Sequence, residues 1–75
     1  MSEQTELVVF MARALVAEPE AVRVRDVGDQ VLELEVASDD LGRVIGRRGK
    51  TARAMRAALA ASAGGAGYDL EIAED

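Results

Sequence analysis

The residues best suited to chemistry in this chain form one run of positive charge around two glycines. Six basic residues fall within fourteen positions that contain no acid: Arg43, Arg47, Arg48, Lys50, Arg53 and Arg56. The rest of the chain holds three basic and fourteen acidic side chains, so a local charge of +6 stands beside one of −11. Guanidinium and ammonium groups bind phosphate through charge-assisted hydrogen bonds, and the run therefore predicts contact with a polyanion.

Two glycines bracket the central arginines of this run. Gly46 and Gly49 lie between a short predicted helix, 40–45, and a longer one, 50–62. Glycine permits a sharp turn with left-handed backbone angles, and without a Cβ it lets a ligand backbone approach closely. The second helix adds free N–H groups and the positive end of its dipole, both suited to phosphate. The pattern predicts a phosphate-binding turn between two helices.

The composition of the chain makes several classes of function improbable. A chain of 75 residues predicts one domain, 1–75, with frayed ends at 1–4 and 74–75. Cysteine and histidine are both missing, which removes the commonest metal ligand and the usual neutral-pH acid–base group. We therefore expect no enzyme, no catalytic residue, no metal and no cofactor. The acidic start and the lack of an apolar stretch near 20 residues predict a cytoplasmic protein without a signal peptide or membrane span.

The first predicted element is a helix over residues 5–18. Its apolar face recurs at steps of three and four residues: Leu7, Val8, Met11, Ala14 and Leu15. Thr5 is the expected N-terminal cap, and Pro19 is expected to end the helix at Glu18.

Residues 21–37 change to the two-residue period of a β-hairpin. Leu32 and Leu34 alternate with charged neighbours, and Gly28–Asp29 predicts a two-residue turn. The valine at 36 continues the core-facing set. Glu33 and Glu35 share the opposite face without a neighbouring base, which is typical of a solvated sheet surface.

The second half of the chain predicts two helices and a strand. Ser38 or Asp39 is the expected cap of the helix 40–45, and Asp40 is also assigned to capping. The helix 50–62 is expected to end in a left-handed cap at the glycines of 64–67. A strand follows at 68–72, with Tyr68 facing the core. The order α-β-β-α-α-β predicts a two-layer α+β fold, a three-stranded sheet with helices on one face.

The central motif resembles that of a known family. Residues 44–52 read Val-Ile-Gly-Arg-Arg-Gly-Lys-Thr-Ala, similar to the V-I-G-x-x-G-x-x-I signature of KH nucleic-acid-binding domains, with Ala52 replacing a bulkier aliphatic residue. The predicted element order is that of type II KH folds. The short chain resembles the small bacterial single-KH proteins of the KhpA (YlqC) type.

The resemblance implies a mode of RNA binding. In KH domains the GxxG loop holds the backbone of about four unpaired nucleotides, whose bases lie in an apolar groove. The positions that it implies here are a clamp (Gly46, Arg47, Arg48, Gly49), flanking charge (Arg43, Lys50, Arg53) and an apolar floor (Val44, Ile45). The partners it implies are single-stranded RNA, a second copy of the chain in a homodimer, and a larger KH protein of the KhpB (Jag) type. The family also implies a chaperone-like role linked to cell elongation and shape.

The basic segment also has other interpretations. A nucleotide-binding phosphate loop needs four residues between its glycines, and only two separate Gly46 from Gly49. A helix-turn-helix DNA binder shares the outline, but residues 50–62 lack the Asn or Gln that reads bases. An interaction module is a further alternative, with helices serving self-association. For Arg56, two interpretations are equally good: a side chain that is simply solvated, or one that contacts RNA.

Overall fold

The computed structural model describes residues 2–74 as three helices and a three-stranded sheet. The elements are α1 (Glu3–Leu15), β1 (Arg23–Asp26), β2 (Val31–Glu35), α2 (Leu41–Ile45), α3 (Lys50–Ala61) and β3 (Asp69–Ile72). The central strand β2 pairs antiparallel with β1 and parallel with β3. A parallel pair needs a crossover, and α2 and α3 form it. The predicted order and the α+β class are confirmed.

One apolar core lies between the helices and the sheet. Its buried members come from every helix, from β2 and β3, and from the residues next to β1 and β2: Val8, Ala12, Val22, Leu32, Leu34, Val36, Val44, Met55, Leu59 and Leu70. The predicted alternation along β2 is confirmed, because Leu32 and Leu34 are buried while Glu35 is exposed. Tyr68 packs against this core, as expected. No helix in residues 2–74 is long and apolar enough to cross a membrane.

The predicted bounds of α1 are wrong at both ends. Ser2 is the cap, since its hydroxyl oxygen accepts the Thr5 N–H at 3.1 Å, and Thr5 is buried inside the helix. The helix ends at Leu15, three residues before the predicted end, and Val16 is extended. The N–H groups of Ala17 and Glu18 point instead to the carboxylate of Asp40, at 3.1 Å each. A tertiary contact therefore ends the helix before Pro19 does.

The buried face of α1 agrees with the predicted one at Val8, and Leu7 and Met11 pack against the core as expected. Val8 and Ala12 are fully buried, whereas Ala14 and Leu15 are exposed. Phe10, which was not assigned to the predicted face, lies on the outside with 73% of its surface exposed.

The hairpin turn has three residues and not the predicted two. The β1–β2 register pairs Asp26 with Leu32, and the Val27 N–H donates to the Val31 carbonyl at 3.0 Å. Gly28, Asp29 and Gln30 then form the turn, all three with positive φ. The Asp26 carboxylate accepts the Gly28 N–H at 2.9 Å, which stabilises this left-handed path.

The predicted caps of α2 and α3 are also wrong. Ser38–Asp40 forms a 3-10 turn without a side-chain cap, since no hydroxyl or carboxylate accepts from α2. At the end of α3, Ser62 is extended and its hydroxyl donates to the Leu59 carbonyl at 2.6 Å. A serine therefore ends α3 in place of a left-handed glycine. The prediction of frayed ends remains a prediction, and Met1 and Asp75 lie outside the described residues.

Candidate nucleic-acid interface

The turn between α2 and α3 has a tightly closed backbone. Arg47–Gly49 forms a single 3-10 turn, in which the Gly49 N–H donates to the Gly46 carbonyl at 3.1 Å. The Gly46 N–H donates back to the Gly42 carbonyl of α2 at 2.9 Å. Both ends of the turn are thus fixed by main-chain hydrogen bonds, and its shape does not depend on the long side chains it carries.

Gly46 is required by its geometry and its surroundings. Its φ of 76° and ψ of 170° lie in a region that essentially only glycine adopts. A Cβ at this position would lie 2.7 Å from the Thr51 backbone nitrogen, closer than any real contact of that kind. Because the obstacle is main chain, no rotation of a side chain would relieve it. The sequence motif predicts a glycine here, and Thr51 supplies the steric reason.

Arg48 adopts a left-handed conformation although it is not glycine. Its φ is 57° and its ψ is 26°, a geometry that costs an L-residue roughly 1 kcal/mol. Arg53, one turn into α3, donates from Nη1 to the Arg48 carbonyl at 2.7 Å and stabilises this arrangement. Arg53 was predicted to add charge along the groove, and the structure shows it bracing the loop. Its contact with RNA stays a prediction.

Three cations of the motif project freely. Arg47, Arg48 and Lys50 are exposed, and within residues 2–74 their side chains form no hydrogen bond or ion pair. They lie at the start of α3, a helix of 12 residues whose N-terminus carries the positive end of the dipole. This arrangement can hold phosphate without first breaking an internal contact.

Arg43 is held by a buried carboxylate. Its Nη1 lies 2.7 Å from Asp40 Oδ1, and only 1% of Asp40 is exposed. The hydrogen bond from the Ala17 backbone N–H, together with those from Arg43 and Glu18, lowers the pKa of Asp40 against the opposing effect of its burial. Asp40, predicted to cap a helix, instead ties the end of α1 to the start of α2. Arg43 therefore belongs to this tether as well as to the charge near the loop.

The two apolar residues before the loop occupy different layers. Val44 is completely buried in the core, so its side chain offers no surface to a ligand and acts on the loop only by fixing α2. Ile45 is half-buried at the edge of the same helix. Of the predicted apolar floor, Ile45 is the member with accessible surface.

Arg56 has a structural partner on the sheet. Its Nε donates to the Leu70 carbonyl of β3 at 2.9 Å and lies 3.9 Å from Asp69 Oδ1. The Leu70 N–H, on the same strand, is taken by the Asp69 carboxylate at 2.8 Å. These contacts give Arg56 a role in joining α3 to β3, which favours the structural interpretation of its charge.

Sequence reasoning missed two residues that shape this site. Thr51 occupies the space that makes Gly46 obligatory, and Asp40 anchors Arg43. The sequence carries no signal for either role, because a threonine in a first helical turn and an aspartate in a polar run are both ordinary. Their roles depend on contacts with the Gly46 backbone and with the main chain at 17–18.

The glycine-cornered turn and its fold define a class of protein, the KH nucleic-acid-binding domain. The element order and the V-I-G-R-R-G motif between two helices are those of its type II form. The chain belongs to the KhpA/KhpB KH-domain family, whose model matches residues 5–72. That family consists of binding domains and not of enzymes, in agreement with the expectation from composition.

Relatives cover almost the whole chain. The RNA-binding protein KhpA of Treponema pallidum is 46% identical over 74 residues, which are 92% of each chain. KhpA of Caldanaerobacter subterraneus is 46% identical over 77% of this chain and 81% of its own. KhpA of Chlamydia pneumoniae, also named an RNA-binding protein, is 36% identical over 93% and 96%. No solved structure matches the chain significantly.

Proposed function

We propose that this chain binds single-stranded RNA and that the loop from Gly46 to Gly49 holds the RNA backbone. The observation that carries the proposal is the set of three free cations, Arg47, Arg48 and Lys50, on a turn whose main chain is closed at both ends. Binding phosphate then requires little ordering of the loop, so less of the interaction energy is lost to entropy. The names of the KhpA relatives support RNA as the ligand.

The distribution of charge along the chain also favours the basic loop as the RNA-binding surface. Outside residues 41–68, which contain no acid, the chain holds all fourteen of its acidic residues. A negative surface repels nucleic acid, so the most favourable approach for a strand is toward the basic loop. Since few phosphates meet this short loop, we expect modest affinity that falls with salt.

A helix-turn-helix mode of DNA binding is disfavoured by the surface of α3. Beyond Lys50, its exposed positions carry one arginine and five alanines: Arg53, Ala54, Ala57, Ala58, Ala60 and Ala61. Alanine has no hydrogen-bonding group for base edges and can only make an apolar contact with a thymine methyl group. A helix of this composition suits the support of a backbone-binding loop better than the reading of a major groove.

The test is a charge reversal in the loop. We expect the double variant Arg47→Asp, Arg48→Asp to bind a fluorescent oligouridine of twelve nucleotides at least about tenfold more weakly, because two attractions to phosphate become repulsions. The slope of log K against log salt, which is negative, should become shallower by about 1.4, at roughly 0.7 for each phosphate that is no longer neutralised. Fluorescence anisotropy at several salt concentrations measures both quantities, and circular dichroism checks the fold.

The matched control places the same charge change on the sheet. Arg23→Asp, Arg25→Asp alters net charge equally on β1, where Arg25 pairs with Glu33 at the surface. An exposed pair of this kind contributes little to stability. If the control weakens binding as much as the loop variant does, net charge alone explains the effect and the loop is not the site. Equal binding of the loop variant and the wild type would also rule the site out.

The same family membership extends the proposal to partners and setting. We infer pairing with a second copy of the chain and with a larger KH protein of the KhpB (Jag) type, in the cytoplasm. A single short loop binds RNA weakly, and a dimer offers two such loops to one strand. A chaperone-like role in cell elongation and shape is the cellular form of this proposal. Loss of the gene product should then alter cell dimensions, and the loop variant should fail to restore them.

A further inference from the structure

Asp40 is a buried acid close to the basic loop, and the proposed RNA contact does not use it. Both of its carboxylate oxygens are occupied. Oδ1 accepts the Ala17 N–H and Arg43 Nη1, and Oδ2 accepts the Glu18 N–H. A carboxylate near a nucleic-acid site weakens binding by charge repulsion unless a cation covers it. Arg43 is that cation here, so a strand that approaches this side of α2 meets the ion pair and not a bare acid.

The two members of this pair differ in their exposure to solvent. The side chain of Arg43 is 55% exposed, whereas that of Asp40 is 1% exposed. The carboxylate therefore lies on the core side of the guanidinium, and a ligand from solvent reaches the cation first. A guanidinium has five N–H donors in one rigid plane, and within residues 2–74 a single hydrogen bond of Arg43 is formed, the one to Asp40. The other donors can bind a phosphate while Nη1 stays fixed.

Arg43 also lies close to the loop along the chain. It precedes Gly46 by three residues of α2, a distance of about 4.5 Å along the helix axis. A phosphate bound by Arg43 would therefore neighbour the phosphates held by the loop cations.

We infer that Asp40 is a positioning residue for RNA binding, which holds Arg43 with its remaining N–H groups facing a phosphate beside the loop. The inference rests on the proposed function and extends it to a buried acid. A long side chain loses rotamer freedom when it binds a ligand, and the bond to Asp40 removes part of that freedom before RNA arrives. The acid is itself fixed by the N–H groups of residues 17 and 18. A negative charge in the fold thereby strengthens the binding of a polyanion.

Two other interpretations of the pair predict different results for the same substitutions. If Asp40 kept Arg43 away from RNA, removal of its charge would tighten binding. If Asp40 contributed to stability alone, its effect on the affinity of the folded protein would not depend on the presence of Arg43. Positioning predicts that the loss of a negative charge weakens the binding of an anion, which is opposite in sign to the effect of net charge.

The experiment measures the affinity of the full chain for the fluorescent oligouridine by anisotropy, at a low temperature where circular dichroism shows each variant to be folded. Asp40→Asn keeps the shape of the side chain, but it removes the charge and replaces one acceptor oxygen by an NH2 group. We expect it to bind about threefold more weakly. The matched control Asp39→Asn removes the same charge at the neighbouring exposed position. It should bind as tightly as wild type or up to about twofold more tightly.

Two variants at Arg43 separate positioning from stability. In the Arg43→Met background, Asp40→Asn should no longer weaken binding and should tighten it by up to about twofold, because the acid is then an uncovered charge. Arg43→Lys keeps the charge and leaves Asp40 in place, but a lysine lacks the planar fork that can bond a carboxylate and a phosphate together. We expect it to bind about threefold more weakly than wild type.

Three results would overturn the inference. One is a folded Asp40→Asn variant that binds at least as tightly as wild type. Another is an equal loss of affinity from Asp40→Asn with and without Arg43. The third is wild-type affinity in Arg43→Lys, which decides the question alone if Asp40→Asn does not fold. A wild-type chain that does not bind oligouridine would refute the proposed function as well. Binding that depends on Arg47 and Arg48 but not on Asp40 would refute the positioning role alone.

Discussion

Six basic residues that look equivalent along the chain divide into two groups of three in the structure. The loop group, Arg47, Arg48 and Lys50, has exposed side chains without partners in residues 2–74. Each member of the anchored group has a partner in the fold: Asp40 for Arg43, the Arg48 carbonyl for Arg53 and the Leu70 carbonyl for Arg56. The loop group is available to a ligand, whereas the anchored group holds the elements that present it.

The difference shows how a small domain can keep a charged loop in place. Side chains without partners in the fold, such as those of the loop group, can meet phosphate without breaking an internal contact. A fixed main chain beneath them needs hydrogen bonds, and in this fold arginines of the same segment donate several of these bonds. The comparison predicts opposite phenotypes, with loss of RNA binding from the loop group and loss of stability from the anchored group and its partners.

The largest expected effect comes from a substitution in the backbone turn that carries the loop group. Gly46→Ala should lower the free energy of unfolding by about 3 kcal/mol, since the new Cβ meets the Thr51 main chain in a glycine-only conformation. For a chain of this size that is a fall of roughly 15 °C in Tm, measured by thermal circular dichroism. RNA binding should be lost with it.

Gly42→Ala is the matched control for this substitution. Gly42 lies inside α2 and a Cβ there meets no atom within 4 Å. Alanine is the better helix former, so we expect a gain of about 0.5–1 kcal/mol. A similar loss of stability in both variants would show that the loop geometry is not the cause.

The next effect concerns the carboxylate that anchors Arg43. Asp40→Ala removes the acceptor of two backbone N–H groups and of one guanidinium, so three part-buried hydrogen bonds between distant segments are lost. We expect Tm to fall by roughly 10 °C. Asp39→Ala, at the neighbouring exposed position, should change Tm by no more than about 2 °C. Equal shifts in the two variants would refute the tether.

The same carboxylate predicts how stability depends on pH. The pKa of Asp40 is lowered by its hydrogen bonds, so its stabilising contribution is complete above the unfolded-chain pKa of about 4. The contribution is lost as the pH falls through the lower pKa of the folded state. The difference in Tm between wild type and Asp40→Asn should therefore shrink as the pH is taken from 6 toward 2.5. A constant difference across that range would contradict the prediction.

A smaller effect is expected when the same substitution is made in one member of each group. Arg53→Met and Arg47→Met each remove one charge, but only Arg53 supports the main chain at Arg48. We expect Arg53→Met to lose about 1 kcal/mol of stability and Arg47→Met to stay within about 0.5 kcal/mol of wild type. Arg47→Met should weaken RNA binding more than Arg53→Met does, and chemical denaturation with anisotropy separates stability from affinity. Equal stability of the variants would remove the distinction between the groups.

The smallest effect is expected at Arg56. Arg56→Met loses one hydrogen bond to the Leu70 carbonyl at the margin of the sheet, which is worth about 0.5–1 kcal/mol. RNA affinity should stay within about twofold of wild type, because this side chain is already engaged on β3. A tenfold loss of affinity without loss of stability would move Arg56 into the loop group.

The features that follow from local chemistry were predictable. Periodicity predicts the order of elements and the buried face of β2, and the two glycines predict the turn between α2 and α3. Both signals can be seen directly in the sequence. The end of α1 was not predictable, because Ala17 and Glu18 are fixed by Asp40, more than twenty residues away. Part of the face of α1 was misjudged for a related reason, since packing buries the small Ala12 and leaves Ala14 and Leu15 exposed.

The division of the basic residues lay equally beyond the sequence. Arg47 and Arg53 differ only in whether a carbonyl oxygen happens to lie within reach, and that depends on the left-handed backbone at Arg48. Nothing in the residues next to Arg48 shows that its backbone is left-handed. The charge cluster could be located from the sequence, but the partner of each side chain required the fold.

The position of Asp40 also bears on how the chain folds. Its bonds to residues 17 and 18 span separations of 23 and 22 residues, with the whole β1–β2 hairpin lying between. Closing so long a loop is entropically costly, so the contact forms only after the hairpin has brought the two segments together. Its energy then arises late, beyond the transition state. The loss of Asp40 is therefore expected to appear as faster unfolding, while the rate of folding changes little.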